Sequence, residues 1–251
     1  MKVVGQGLPR VEVFEKVTGQ SVFGADVRLG GPFLFGKILR SPHAHARINK
    51  IDTRKAERLK GVKAIVTAQD FPKVRYGMFV KDEEYLASTK VRALGDKIAA
   101  VAAVDEETAE EALELIRVDY EVLPTLTDPL ESIREGAPPI HENCEEYVAI
   151  PIIQDRKGNI AHHKQTVMGD PEQGFREADR IFEHSFDVPM VHQTYLEPHA
   201  VLAKVDASGK VTVWVPTQAQ FVIRAAIAEI LQLPLIKVRV IPTEIGGGFG
   251  G

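Results

Sequence analysis

Apolar positions along the chain form two ordered stretches separated by a disordered-looking one. Ile98-Ala99-Ala100-Val101-Ala102-Ala103-Val104 is a nearly unbroken apolar run, the pattern of a strand buried on both faces. Asp105 follows as a helix N-cap. Ala109, Ala112, Leu113 and Ile116 then recur at helical spacing, while Glu106, Glu107, Glu110, Glu111 and Glu114 occupy the solvated faces. Residues 118–122 read as a strand that closes a β-α-β unit. Upstream, 33–39 and 62–67 are strand-like, 55–59 a short helix, and 73–89 an irregular, charged surface loop. Turn signals stand at Gly30-Gly31-Pro32 and Asp70-Phe71-Pro72. Residues 18–122 are therefore expected to form a compact α+β unit.

The second ordered stretch begins after residue 169. A short helix is expected over 171–178 and an alternating strand over 180–188. Strands at 201–205 and 211–215 flank Asp206-Ala207-Ser208-Gly209, a hairpin turn. A helix over 219–231 carries Val222, Ile223, Ala226, Ile227 and Ile230 on its apolar side, Leu233-Pro234 stops it, and 237–241 is the next strand. If this crossover returns to one sheet, the two strands are parallel and their carboxyl ends lie side by side. Gln218 leaves one end and Gly246-Gly247-Gly248-Phe249-Gly250-Gly251 leaves the other. Open α/β sheets bind ligands at that edge. Between the two stretches, prolines at 124, 129, 138, 139 and 151 and a polar segment at 154–159 indicate a connector.

Composition narrows the functional classes. With 251 residues, 44% hydrophobic, the chain can bury one large core or two ordinary ones. Its net charge of −4, from 31 basic and 35 acidic residues spread along the sequence, gives no basic face for nucleic acid. No apolar run approaches the roughly 20 residues of a membrane span. The opening Met1-Lys2-Val3-Val4-Gly5-Gln6-Gly7 lacks a signal-peptide core, so a cytoplasmic protein is expected. One cysteine, Cys144, in the acidic setting His141-Glu142-Asn143-Cys144-Glu145-Glu146, allows neither an internal disulfide nor an iron–sulfur cluster held by this chain's thiolates. An acidic setting also disfavours a reactive thiolate.

Several residue groups could carry chemistry. Five glycines in six residues offer no packing, only bare N–H groups and close approach to a ligand. Gly246-x-Gly248-x-x-Gly251 also satisfies a dinucleotide fingerprint, though the helix and acidic residue that complete it are missing. A plain flexible turn is the third reading. His43 and His45, two apart, would face one way on an extended segment and could be half of a metal site; the want of further ligands nearby favours hydrogen bonding. His192, Glu197 and His199 fit no zinc spacing, and His162-His163 is isolated. Gln218, able to donate and accept, would face the glycine run's N–H groups and turn it into a two-part site for an anion or oxo ligand.

Taken together these motifs resemble the molybdopterin-binding subunit of the xanthine dehydrogenase/aldehyde oxidase family of molybdenum hydroxylases. The likeness runs through Thr18-Gly19-Gln20 to Asp26, Leu39-Arg40-Ser41-Pro42-His43-Ala44-His45-Ala46, Gly61-Val62 and Val91-Arg92-x-x-Gly95-Asp96, which look like its N-terminal hammerhead domain. Tyr195-Leu196-Glu197-Pro198, Pro216-Thr217-Gln218 and the glycine run look like the start of its first cofactor domain. The resemblance implies an α+β chain: a small hammerhead α/β domain over 1–125, a connector over 126–165, and the first part of a mixed α/β molybdenum-cofactor-binding domain over 166–251. It implies that Gln218 hydrogen-bonds the apical oxo ligand of molybdenum, that backbone N–H groups of Gly247, Gly248, Phe249 and Gly250 hold molybdopterin, bare or as the cytosine dinucleotide, and that no residue of this chain ligates the metal directly. It further implies water-derived hydroxylation of a heterocycle or aldehyde, with electrons passed to iron–sulfur clusters and FAD on partner subunits.

The family's general base, a glutamate, has no counterpart here; Glu197 and Glu244 are nearby carboxylates that do not match it. A second molybdopterin-binding polypeptide is therefore expected as a partner, with the chain inactive alone. A nucleotide-binding domain and a non-catalytic assembly subunit are the alternatives.

Overall fold

The structure, a computed structural model, describes residues 4–250. In chain order its first elements are helix α1 (Val13–Val17), strands β1 (Phe35–Arg40) and β2 (Ala46–Asp52), helix α2 (Arg54–Glu57) and strands β3 (Val62–Thr67), β4 (Lys90–Val91) and β5 (Lys97–Ala103). Helix α3 (Glu106–Leu115), strand β6 (Arg117–Val122) and short helices α4 (Pro129–Ser132) and α5 (Pro171–Glu177) follow. The chain ends on strands β7 (Leu202–Val205) and β8 (Val211–Val215), helix α6 (Gln220–Ile230) and strand β9 (Val238–Pro242). Two compact units result, Gly31–His184 and Met1–Gly30 with Ser185–Gly251.

The larger unit, Gly31–His184, is built around β5. It is the central strand of β1-β5-β3, antiparallel to both neighbours, and a second antiparallel sheet has the order β4-β2-β6. Ala99, Val101 and Ala103 pack with Ala56, Ala109, Ala112 and Ile116, while Ile98 on the opposite face packs with Ala46, Ala87 and Val91. The apolar run is thus buried on both faces because each face meets a different partner. Alanines on β5 and α3 let helix and sheet approach closely, and Asp105 caps α3 by accepting from the Thr108 N–H at 2.7 Å.

The strand after α3 differs from expectation. It joins the second sheet antiparallel to β2, so β5-α3-β6 is no β-α-β unit of one sheet. The physical reason is visible in Arg117-Val118-Asp119-Tyr120-Glu121-Val122, whose alternation gives a half-solvated face, whereas a parallel strand would be apolar throughout. No strand forms over 180–188 either; the segment lies exposed and outside the described sheets. Strands β2 and β4 leave no mark in the hydropathy pattern because their sequences are too charged or too short to show a period.

The segment over 73–89 has no helix or strand, as its composition implied, but it is tied down. Tyr76 and Glu83 exchange main-chain hydrogen bonds of 2.9 and 3.1 Å, and the Lys81 N–H donates to Val148 at 2.8 Å. Asn159 holds the proline-rich chain by accepting from the Ile140 N–H at 2.8 Å and donating to the Ser132 and Pro138 carbonyls. The Lys90 side chain, 5% exposed, donates to the Pro139 and Ile140 carbonyls and to Glu142. Partial burial alone would raise the Glu142 carboxyl, but the Lys90 ammonium and backbone hydrogen bonding outweigh it and hold the group below its ordinary value. The pair's contribution is therefore present above the ordinary carboxylate value and lost as pH falls through the lowered folded one. Lys90→Met should cost about 2 kcal/mol, since two carbonyls and a carboxylate lose a charged donor, and should flatten this acid-side loss. Urea titrations at neutral and acid pH check both, and an unchanged midpoint would count against the anchor.

In the smaller unit, β7-β8-β9 form one sheet, with β7 antiparallel and β9 parallel to β8. The turn over 206–209 closes with the Gly209 N–H on the Asp206 carbonyl at 2.9 Å. Helix α6 is the crossover between β8 and β9, and Val211, Val213, Val238 and Ala228 are buried in this unit. Among the described residues no helix is long and apolar enough to cross a membrane.

Candidate functional site

The parallel pairing of Val211 with Val238 through Val215 with Pro242 brings the carboxyl ends of β8 and β9 together. The Thr243 N–H still reaches the Val215 carbonyl at 3.2 Å, after which the two chains diverge. One turns through Pro216-Thr217-Gln218 into α6, with Thr217 Oγ1 accepting from the Ala219 N–H at 3.0 Å. The other opens into the glycine run. Between them lies a cavity of about 190 Å³, lined by Tyr195, Glu197, His199, Gln218, Gly247 and Gly248 among others. Gln218 and the first half of the run are thus brought to one place. Phe249, largely exposed, and Gly250 do not line it.

The run is shaped by close approach. A Cβ on Gly246 would sit 2.5 Å from Glu197 Cβ, and one on Gly247 would sit 3.0 Å from Tyr195 Cβ. Gly247 also has φ of +117°, a conformation L side chains rarely adopt. Phe249 holds φ of +53°, unusual for a bulky residue. Among the described residues the N–H groups of Gly247, Gly248, Phe249 and Gly250 meet no acceptor; those of Gly247 and Gly248 belong to half-buried residues that line the cavity, whereas Phe249 and Gly250 are exposed, and open main-chain donors at a cavity wall suit an oxygen ligand. The Gly248 carbonyl is held by Gln193 Nε2 at 3.3 Å. Gly251, which completes the dinucleotide pattern, lies outside the described residues.

The side-chain wall of the cavity is polar. The Tyr195 hydroxyl and His199 Nε2 lie 3.1 Å apart, and the His192 ring is tilted against Tyr195. Glu197 does not face the cavity as a free base: its two oxygens accept the N–H groups of Gly246 and Gly24. Glu244 is paired with Lys16 at 3.1 Å. The part played by residues 22–24 has no sequence signal, since nothing periodic marks that segment.

The remaining candidates are engaged elsewhere. His45 Nδ1 donates to the Pro124 carbonyl at 2.6 Å, and His43 meets Tyr120 edge-on. Cys144 is half-buried at the start of a single helical turn, Cys144–Glu146. Among the described residues no three His, Cys, Asp or Glu side chains are grouped to hold a metal. A larger cavity, about 290 Å³, lies in the other unit beside Lys90, Arg92, Lys97, Glu84, Asp96 and His141. Its cations are already bonded, Lys90 to Glu142 and Lys97 to the Tyr76 hydroxyl, and burial followed by the Arg92 guanidinium keeps the His141 imidazole below its ordinary value. It reads as a self-satisfied network rather than a receptive site.

The 190 Å³ cavity is smaller than the several hundred Å³ of a complete small-molecule pocket. The cavity can therefore receive only one part of a molecule of that size. Open main-chain donors, a neutral amide and positions that exclude Cβ atoms suit a flat, oxygen-rich group carrying negative charge.

Known proteins point the same way. The model for the a/b hammerhead domain of aldehyde oxidase and xanthine dehydrogenase matches residues 18–124, and the model for a molybdopterin cofactor-binding domain matches residues 152–251. The chain is 38% identical over 237 residues to a probable xanthine dehydrogenase subunit of Bacillus subtilis, covering 94% of this chain and 30% of that protein. It is 34% identical over 251 residues to the nicotinate dehydrogenase large molybdopterin subunit of Eubacterium barkeri, covering 100% and 56%. Reconstituted CO dehydrogenase from Oligotropha carboxidovorans superposes with a TM-score of 0.79 at 35% identity, over 98% of this chain and 31% of that one. The chain thus spans between about a third and just over half of the length of these relatives.

Proposed function

Because the chain belongs to the xanthine dehydrogenase/aldehyde oxidase family of molybdenum hydroxylases, we propose that it is a subunit that helps bind the molybdopterin cofactor through Gln218 and the backbone of Gly247, Gly248, Phe249 and Gly250. The observation that carries this reading is the shared cavity at the ends of two parallel strands, lined both by Gln218 and by Gly247 and Gly248, whose N–H groups meet no acceptor among the described residues. When bound, the molybdenum cofactor supplies a two-electron oxidation that places water-derived oxygen on a carbon of a heterocycle or aldehyde. Gln218 would hold the group with its side-chain N–H donors toward the oxo ligand, and the main-chain N–H groups of the glycine run would donate to its other oxygens. Their positions are set before the ligand arrives, so little reorganisation is needed on binding.

Turnover in this reading depends on partners. A second molybdopterin-binding polypeptide supplies the general base and the remaining cofactor contacts, and iron–sulfur and FAD subunits carry the electrons away. Two features support this: the 190 Å³ cavity has room for only part of a cofactor-sized molecule, and one cysteine cannot hold a cluster. By the resemblance the hammerhead domain is assigned to 1–125, a connector to 126–165 and cofactor binding to 166–251, although the segment up to Gly30 packs in the unit of Ser185–Gly251 and the connector within Gly31–His184; the reading makes the complex cytoplasmic.

The test is coexpression with genomic neighbours, followed by molybdenum analysis and pterin fluorescence of the purified complex. One molybdenum and one pterin per chain are expected. A complex that carries a nucleotide and no metal overturns the reading, and a complex with neither favours an assembly role. In the loaded complex Gln218→Ala should lower kcat/KM by about two orders of magnitude, the scale seen when one preorganised donor is lost, with assembly intact. Steady-state kinetics at unchanged kcat/KM would remove Gln218 from the site.

A further inference from the structure

Two glycines of the smaller unit, far apart in sequence, give their main-chain N–H groups to one carboxylate. Gly246 reaches Glu197 Oε2 at 2.6 Å, and Gly24 reaches Oε1 at 3.3 Å. Neither position has room for a side chain. A Cβ on Gly24 would stand 2.9 Å from the Ala200 carbonyl oxygen and 3.1 Å from Pro216 Cδ, and one on Gly246 would stand 2.5 Å from Glu197 Cβ. The backbone has therefore come close to Glu197 from both sides. The N-terminal segment is held beside the outgoing strand by further contacts: the Glu244 N–H donates to the Val22 carbonyl at 3.2 Å, Phe23 and Glu244 form a parallel bridge, and Lys16 pairs with Glu244.

We infer that Glu197 is a positioning residue that locks the glycine run to residues 22–24 and so fixes the direction in which the Gly247 and Gly248 amides face Gln218. The inference rests on the reading of the run as a cofactor cradle. A glycine-rich segment loses more backbone entropy on ordering than any other, so an untethered run would show its donors to a ligand in only a fraction of its conformers. Apparent affinity falls by that same fraction. Hydrogen bonds to an ionised carboxylate are roughly twice as strong as neutral ones, and this carboxylate uses both oxygens on backbone. Gln193 on the Gly248 carbonyl is the second tether. Glu197 therefore acts through the loop and touches no reacting atom.

The experiment uses the full chain in its purified complex and compares wild type with Glu197→Gln and Gly24→Ala. Hydrogen exchange is followed at residues 22–24 and 246–250 and at the reference strand Val211–Val215, and cofactor retention is followed by pterin fluorescence after gel filtration. Glutamine keeps one acceptor oxygen and turns the other into a donor that faces an N–H group. About tenfold faster exchange at Gly24 and Gly246 and about tenfold faster cofactor loss are expected, with the reference strand unchanged. Gly24→Ala should move both readouts in the same direction by less, since only the Oε1 contact is displaced, and it serves if the glutamine variant does not fold. A wild type that keeps its pterin beside an E197Q complex that keeps it as long overturns the inference and leaves the cofactor reading standing. Faster exchange with unaltered retention also overturns it, reducing Glu197 to a structural contact. A wild type that holds no pterin at all sinks the cofactor reading, and the inference with it.

Discussion

Replacing Gly246 by valine is expected to empty the complex of its pterin and to destabilise the smaller unit by about 3 kcal/mol, the sum of a lost charge-assisted hydrogen bond and an overpacked contact. The added Cβ would lie 2.5 Å from Glu197 Cβ, a distance real Cβ atoms do not reach. Glu197 Cβ is the root of its side chain, so it cannot swing aside, and the main chain at Gly246 must move. That movement breaks the 2.6 Å bond from the Gly246 N–H to Oε2 and carries Gly247 and Gly248 away from Gln218. Glu197→Gln disturbs one contact; Gly246→Val displaces the loop itself, so its effect on retention is the larger. Trp214 is the chain's single tryptophan and stands on β8. Its fluorescence during urea unfolding reports this unit directly. Full pterin content and an unshifted Trp214 transition would show that the loop tolerates a side chain, against the close approach at Gly246.

In the larger unit Ile98→Ala is expected to cost about 3–4 kcal/mol, toward the upper part of the range for buried large-to-small changes. Ile98 is fully buried, and the buried residues it packs with are Ala46, Ala87 and Val91. Ala46 and Val91 are fixed on strands and Ala87 is an alanine of the tied-down 73–89 segment, so these neighbours have little side chain to move into the space. Cavity volume is what separates costly from mild truncations. Ile98→Val removes one methyl group and should cost about 1 kcal/mol. Urea denaturation followed by far-ultraviolet circular dichroism measures both, and a cost below about 1 kcal/mol for the alanine variant would mean that the β4-β2-β6 sheet closes over the gap.

Legibility differs between the two units for reasons of range. Residues 201–241 read well because their information is local: a hairpin turn at 206–209, an amphipathic helix stopped by Leu233-Pro234 and a short return strand, with the parallel pairing expected if that strand rejoins the same sheet. The parallel pairing of β8 with β9, and hence the meeting of Gln218 with Gly247 and Gly248, follows from that alone. In residues 97–122 the strands and the helix are legible, but the partner of β6 is not. A strand's period says which face is buried and says nothing of which strand lies beside it. The 180–188 segment shows the converse, alternation that ends in no strand of the described sheets.

Short-range pattern in the chain suffices for the elements around the site and the two strand ends that meet at the cavity, because helix periodicity, turn chemistry and glycine content act over a few residues, and the quoted motifs carry the resemblance to the family. Tertiary packing alone brings residues 22–24 back to the glycine run and makes Glu197, in sequence a spare carboxylate, the group that holds both. The contact joins positions 173 residues apart in one case and 49 in the other. Chain closure over such distances is set by the whole packed unit, where excluded side-chain volume at Gly24 and Gly246 and one charge shared between two N–H groups select the arrangement.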